Sequence, residues 1–290
     1  MQRGLDLLNP DETTEEEKAD FRADYLREDG RVHRGFDFLL ANEPGPAILK
    51  RYQLAVRMQG FREGLGHPGG FRHPRTIVPL TIAYIGYYAT LGFDEGIRYS
   101  VRPLQNAGFS RHQVIEAVAI PFLRVGPRGI EAIAAALEGF EWKEVEQGIE
   151  WDGGWGVDPE AFSSGIDFST TEVLPAELEK IQQWYLRNLG ELPPYVRYLA
   201  RHHPPLLKAY RNRFEHLVVT LPKQLVPTSL LLLNLLLGER ESVREYLLLC
   251  RAFGVSRRDM WTVLHGSFTY GLEKATMAYE VAADVLDSWS

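Results

Sequence analysis

The chain has 290 residues, of which 45% are apolar, and a formal net charge of −7. This length is enough for two ordinary domains or one large one, each with its own hydrophobic core. The acidic balance and the lack of a basic block disfavour nucleic-acid binding, which needs a basic face. The single cysteine, Cys250, excludes an internal disulfide, a CxxC redox pair and a cysteine-rich zinc site.

The first predicted element is an acidic helical arm at the N-terminus. Its sequence lacks the apolar stretch of a secretory signal, so the cytoplasm is the expected location. Thr14 and Glu17 have the spacing of a capping box, which predicts a helix over residues 15 to about 28. We assign residues 1–30 to this arm.

Three short signatures then occur twice along the chain, in the same order and at offsets of 158, 148 and 146 residues. The differences between the offsets fall in loops, as an internal duplication requires. We therefore predict a first repeat over 31–140, an irregular linker over 141–175 and a second repeat over 176–290. The signatures are Pro46, Leu49, Lys50 and Tyr52 with Pro204, Leu207, Lys208 and Tyr210; Pro74, Val78 and Pro79 with Pro222, Val226 and Pro227; and Gly108, Ser110, Arg111 and Phe122 with Gly254, Ser256, Arg257 and Phe268.

Each repeat is predicted to contain two helices joined by a tight glycine turn. Gly108 and Gly254 can adopt the left-handed conformation that ends a helix, and Ser110 and Ser256 can cap the helix that follows. The apolar run over 225–237 is shorter than the roughly 20 residues needed to span a bilayer, so it predicts a buried core helix and no membrane association. Because no segment shows sustained strand alternation, the predicted fold class is all-α.

The second repeat carries a motif near its C-terminal end. Residues 263–275 read Val-Leu-His-Gly-Ser-Phe-Thr-Tyr-Gly-Leu-Glu-Lys-Ala, with His265 six residues before Gly271. This pattern resembles the carboxymuconolactone decarboxylase and alkylhydroperoxidase D superfamily, most strongly over 221–282 and more weakly over 74–138. The resemblance implies two tandem alkylhydroperoxidase D-like helical bundles. It also implies a homo-oligomer, a homotrimer in the first place and a homodimer as the alternative.

The chain departs from the redox members of that superfamily, which carry a CxxC pair followed by a relay histidine. The histidine position is occupied by Tyr246, and the cysteine positions by Ser242 and Glu239. Disulfide exchange needs two nearby sulfurs, one of them a thiolate. Thiol peroxidase activity is therefore disfavoured, and the resemblance favours the decarboxylating branch.

Five residues of the second repeat are the candidates for chemistry, each with a packing role as the alternative. His265 is the predicted proton shuttle, because an imidazole exchanges a proton near neutral pH and this one matches the family histidine. Tyr246 is predicted to be catalytic by donating a hydrogen bond to a developing oxyanion. Asn234, Arg244 and Tyr270 are the predicted substrate-binding residues, offering a buried amide, a cation near Tyr246 and a phenol after His265.

Two further pairs of residues suggest weaker hypotheses. His67 and His73 flank a glycine-rich segment, which favours a lid or a plain loop over a metal site, because no third ligand is evident. His112 and Glu116, four residues apart, fit an acid–base couple or, more commonly, a solvated helical pair. We predict no metal and no cofactor.

Two functions remain open at this stage. The first is a cofactor-independent, carboxymuconolactone decarboxylase-like lyase that acts on a small organic acid or lactone by proton transfer. The alternative is a non-catalytic small-molecule-binding or assembly protein of the same fold. Its support is that both repeats lack the familiar relay residues. The expected partners are accordingly a small organic acid and further copies of the chain.

Overall fold

The computed structural model is all-helical throughout the part of the chain that it describes, where no residue belongs to a strand. The all-α prediction is therefore confirmed. The chain divides into two compact units, residues 1–71 and 72–290, with the boundary inside the range predicted as the first repeat. The residues described are 14–29, 32, 34–42, 73–145, 147–149, 151, 159–267 and 272–289.

The first unit contains two described helices. One begins at the residue that the capping-box spacing predicts. Phe21 and Leu40 form a small buried cluster, and Arg22 Nε lies 2.8 Å from the Asp37 carboxylate, so one apolar contact and one ion pair join the two helices. The helices are α1 (Glu15–Asp29) and α2 (Arg34–Asn42).

The second unit contains the remaining described helices. The predicted linker holds a single four-residue helix, α6, and is otherwise irregular where it is described. The helices are α3 (Pro74–Leu91), α4 (Asp94–Asn106), α5 (Arg111–Leu137), α6 (Pro159–Phe162), α7 (Pro175–Leu189), α8 (Pro194–His202), α9 (Pro204–His216), α10 (Leu225–Leu237), α11 (Arg240–Ala252), α12 (Arg257–Ser267) and α13 (Leu272–Asp287).

Local capping explains where α3 begins and ends and where α5 begins. The His73 side chain accepts a hydrogen bond of 3.2 Å from a first-turn amide of α3, and Gly92 ends that helix at φ 65°. Gly108 has φ 93°, and Ser110 and Gln113 form a complete capping box at the start of α5. The predicted glycine turn and serine cap are confirmed in this region.

Helix α5 is kinked close to the site described below. Gly126 has φ 66° and ψ −170°, a conformation open to glycine, and Pro127 has no amide to donate. Four residues before the break, the Phe122 carbonyl accepts a hydrogen bond from Arg213 of α9. The same guanidinium lies 3.7 Å from the Phe122 ring centroid, which holds α9 against the kink.

The core centres on α10, which packs against α3. Residues 225–236 are all buried, which confirms the predicted core helix. The contacts around this pair are reciprocal, since α5 packs on α10 and α12 packs on α3. None of the described helices is both long and apolar enough to cross a membrane.

Helices α3–α5 and α10–α12 share four bounds at one offset. From the ends of α3 and α10 to the starts of α5 and α12, each bound in one trio lies 146 residues before its counterpart in the other. This agreement and the reciprocal contacts support the internal duplication, which stays a prediction. The matching residues are Leu91 and Leu237, Asp94 and Arg240, Asn106 and Ala252, and Arg111 and Arg257.

Candidate active site

Four tyrosines and one glutamate meet where α7, α8 and α9 face α11. Tyr195 donates a hydrogen bond of 2.8 Å to Glu245, and the hydroxyls of Tyr195 and Tyr185 lie 3.2 Å apart. The Tyr195 ring stands edge-on to Tyr210 at 5.6 Å, and the neighbouring Tyr246 acts to lower the pKa of Tyr210. We call these five residues the tyrosine–glutamate cluster. It contains one of the two predicted catalytic residues, Tyr246.

The helices place each member of the cluster for identifiable reasons. Pro193 and Pro194 start α8, so Tyr195 is fixed within its first turn. Glu245 and Tyr246 are consecutive on α11, a helix that packs on the apolar α10, on α7 and on α13. Adjacent residues on a helix point about 100° apart, so the side chains of Glu245 and Tyr246 reach neighbouring parts of the surface that α7, α8 and α9 present to α11.

The cluster has a buried inner part and a more accessible edge. Tyr185 and Tyr246 are buried, with 2% and 6% of their surface exposed. Tyr195, Tyr210 and Glu245 are partly buried and form the edge. Three of the five residues thus retain some exposed surface.

Burial raises the pKa of Glu245 from its ordinary value of 4.5 to about 7. The hydrogen bond from Tyr195 and the positive charges of Arg124 and Arg211 oppose this rise without cancelling it. At neutral pH the carboxyl therefore exists in both protonation states, as a group that both accepts and donates protons must.

The surrounding phenols keep their protons at neutral pH. Desolvation raises the pKa of Tyr195 and of Tyr246 well above the usual value, and nearby phenols and Glu245 add to the effect. Burial likewise raises the pKa of Tyr210. These groups are thus neutral hydrogen-bond donors, which is what stabilisation of an oxyanion requires.

Beneath the cluster lies a fully buried cation, Arg211, on α9. Its Nε and Nη2 donate to one carboxylate oxygen of Glu215 at 3.1 and 2.7 Å, and Nη2 also donates to the Phe162 carbonyl at 2.9 Å. The guanidinium lies 3.8 Å from the centroid of the Trp184 ring. Ion pairing and ring contact hold the charge in a fixed place.

His265, the other predicted catalytic residue, has different described neighbours. It is partly buried on α12, with its ring centroid 6.1 Å from that of Trp261. Trp261 in turn lies 6.1 Å from Tyr279 of α13. The described ring contacts of His265 thus lie toward α13, whereas Tyr246 interacts with Tyr210 of α9.

The predicted substrate-binding residues have separate surroundings. Asn234 is fully buried on α10, where Nδ2 donates to the Leu230 carbonyl at 2.7 Å and Oδ1 has no hydrogen-bond partner within the described ranges. Arg244 makes a two-point ion pair with Asp284 of α13, at 2.6 and 2.9 Å. Tyr270 lies outside the described residues. The three binding roles stay predictions.

The remaining titratable candidates have mostly structural roles. Glu116 accepts hydrogen bonds from the successive amides of residues 219–221, so neither interpretation of a His112–Glu116 pair fits. His73 caps α3, and His67 lies outside the described residues. Cys250 is a buried thiol whose pKa is raised by burial. No group of three or more potential metal ligands occurs among the residues that the structure describes.

Sequence reasoning missed Glu245, Tyr185 and Tyr195. Two signals were present, because Glu245 directly precedes Tyr246 and Tyr210 belongs to a repeated signature. Neither signal shows which helices cover α11, so the cluster could not be assembled from them.

Comparisons with known proteins add no assignment. No family model, no curated protein and no solved structure matches this chain. The function of this chain is therefore inferred from the geometry of the tyrosine–glutamate cluster, and the resemblance stays a prediction.

Proposed function

We propose that the chain is a proton-transfer enzyme acting on a small organic acid or lactone, with decarboxylation as the reaction that the resemblance implies. One observation carries the proposal. Glu245 is a partly buried carboxyl, hydrogen-bonded to Tyr195 and with its pKa raised to about 7, among phenols that keep their protons. A group with a pKa near the working pH is the most effective general acid or base.

The reaction divides between the carboxyl and the phenols. Breaking the bond to the departing carboxylate releases carbon dioxide and leaves the electron pair on an enolate of the substrate. The protonated form of Glu245 gives its proton to the enolate carbon, and water restores that proton afterwards. Tyr210, which has a neutral phenol and is partly buried, donates a hydrogen bond to the enolate oxygen, while Tyr195 keeps its hydrogen bond to Glu245.

His265 provides the competing assignment of the proton carrier. An imidazole and a carboxyl with a pKa of about 7 titrate over the same range, so a pH profile alone does not separate them. Substitution does. In the proposed mechanism Glu245→Gln abolishes proton transfer, whereas His265→Ala leaves most of it.

The test is release of carbon dioxide from a panel of carboxylated lactones and β-keto acids. We expect turnover by the purified protein and a loss of about 10²–10⁴-fold in kcat for Glu245→Gln, the usual contribution of a general acid or base. Glu241→Gln is the matched control, because Glu241 is an exposed carboxyl one turn earlier on the same helix.

Unchanged turnover in Glu245→Gln contradicts this mechanism, and a large loss in His265→Ala instead reassigns the proton to the imidazole. Calorimetric binding of the same acids without any turnover by the wild-type protein supports the alternative function, a binding protein of the same fold.

A further inference from the structure

Arg211 is unusual for a residue with a purely stabilising role. It is fully buried and pairs with a glutamate that is 3% exposed. Removing two opposite charges from water is expensive, and apolar replacements of buried pairs are often neutral or stabilising. Its Nη1 is buried without a hydrogen-bond partner in the described part of the chain. The net stability gained from this ion pair does not account for its presence.

A short path leads from this cation to the edge of the cluster. The guanidinium carbon lies 5.3 Å from the centroid of the Tyr185 ring. The Tyr185 hydroxyl is 3.2 Å from that of Tyr195, and Tyr195 donates to Glu245 at 2.8 Å. The charge of Arg211 lowers the pKa of Tyr185 and of Glu245, against the larger effect of burial.

We propose that Arg211 is a positioning residue of the proposed site, which acts on Glu245 through the hydroxyls of Tyr185 and Tyr195. This inference rests on the proposed function for its purpose, although not for its test. The cation polarises the inner phenol, and each hydrogen bond in such a chain strengthens the next. The result is a stronger donor at Tyr195 and a Glu245 carboxylate that is held toward the edge of the cluster.

The other groups around Glu245 do not form a similar path. On α5, Arg124 acts on Glu245 through its charge and is paired with Glu239 at 2.8 Å. Helix α10 offers no ionisable side chain. On α13, Glu280 and Asp284 pair with arginines 240 and 244 of α11. Tyr210 and Tyr246 interact with one another at the side of the path.

The experiment is a ¹³C NMR titration of the glutamate carboxyls in the full-length protein, with Glu245→Gln used to assign the resonance. We expect Tyr185→Phe to raise the midpoint of Glu245 by about one pH unit, within the range that a nearby charge and its hydrogen bonds produce. Tyr198→Phe, on the same helix as Tyr195, is the control and leaves the midpoint unchanged because Tyr198 is exposed and contacts His202.

A second variant removes the cation without leaving a buried charge unpaired. In Arg211→Gln combined with Glu215→Gln, we expect the Glu245 midpoint to rise as in Tyr185→Phe. When this double variant is combined with Tyr185→Phe, the midpoint should shift by less than the sum of the two separate shifts, because both interrupt the same path. This variant also serves if Tyr185→Phe does not fold.

The inference is overturned if Tyr195→Phe moves the midpoint while the folded variants at Tyr185 or at Arg211 and Glu215 leave it unchanged. No substrate is used in this titration. Absence of turnover therefore contradicts the proposed function alone, and an unmoved midpoint contradicts the role of Arg211 alone.

Discussion

The two helix trios, α3–α5 and α10–α12, share four helix bounds at one offset but differ in chemistry. At the offset of 146 residues, Glu245 and Tyr246 of α11 correspond to Tyr99 and Ser100 of α4. The segments that pack on the two trios also differ. Two aromatic residues that follow α5 pack on arginines of the first trio through cation–π contacts, Phe140 with Arg102 at 5.9 Å and Trp142 with Arg111 at 5.3 Å. Helices α7–α9 supply the phenols that face Glu245.

The comparison separates the scaffold from the site. Caps, glycine turns and an apolar central helix specify each trio, and they occur in both. The titrating carboxyl depends on one residue of α11 and on the helices that cover it. The first trio thus serves as an internal reference for experiments on the second.

The largest expected difference between the trios is in the pH dependence of stability. Glu245 has a raised pKa in the folded protein, so its protonated form stabilises the fold. This contribution to the free energy of unfolding is full below 4.5, the pKa in the unfolded chain, and is lost as pH rises through about 7. Between pH 5 and 8 we expect the free energy of unfolding of the wild type to fall relative to Glu245→Gln by about 2–3 kcal/mol at most. Urea titrations at each pH measure it. Tyr99→Phe, the reference change in the first trio, should follow the wild type, and parallel curves for all three proteins contradict the assignment.

The next effect should be equal in the two trios. Ser110 accepts from the Gln113 amide at 3.2 Å, and Ser256 accepts from the Asp259 amide at 3.1 Å. Each change to alanine should lower the free energy of unfolding by about 1 kcal/mol, because an N-cap bond is lost. Thermal or urea unfolding checks this. A cost confined to one serine contradicts the view that the two trios are specified in the same way.

The smallest effect is expected on the outer face of α11. Arg240 and Glu280 pair at 2.7 Å, with side chains 55% and 54% exposed. Arg240→Ala should change the free energy of unfolding by less than about 1 kcal/mol, as is typical of exposed ion pairs, and leave turnover unaltered. A large loss of turnover in Arg240→Ala would contradict the assignment of the active site to the face of α11 that carries Glu245.

Sequence reasoning predicted the elements better than the site, and the reason is physical. The cap at Ser110, the turns at Gly108 and Gly254 and the buried run over 225–237 are local patterns, so the sequence contains them directly. The bond between Tyr195 and Glu245 joins residues 50 positions apart. Helical periodicity indicates which face is buried but not which helix covers it. Tyr246 was therefore singled out from the sequence, and its neighbours in the cluster were not.

The central claim is that Glu245 titrates near neutral pH in the folded protein, and the most direct test is the ¹³C NMR titration of its carboxyl in the wild type without substrate. We predict a midpoint near 7, because burial raises the pKa of Glu245 more than Tyr195 and the nearby arginines lower it. A midpoint near the ordinary value of 4.5 would show that Glu245 is ionised at neutral pH and that the cluster serves only in packing.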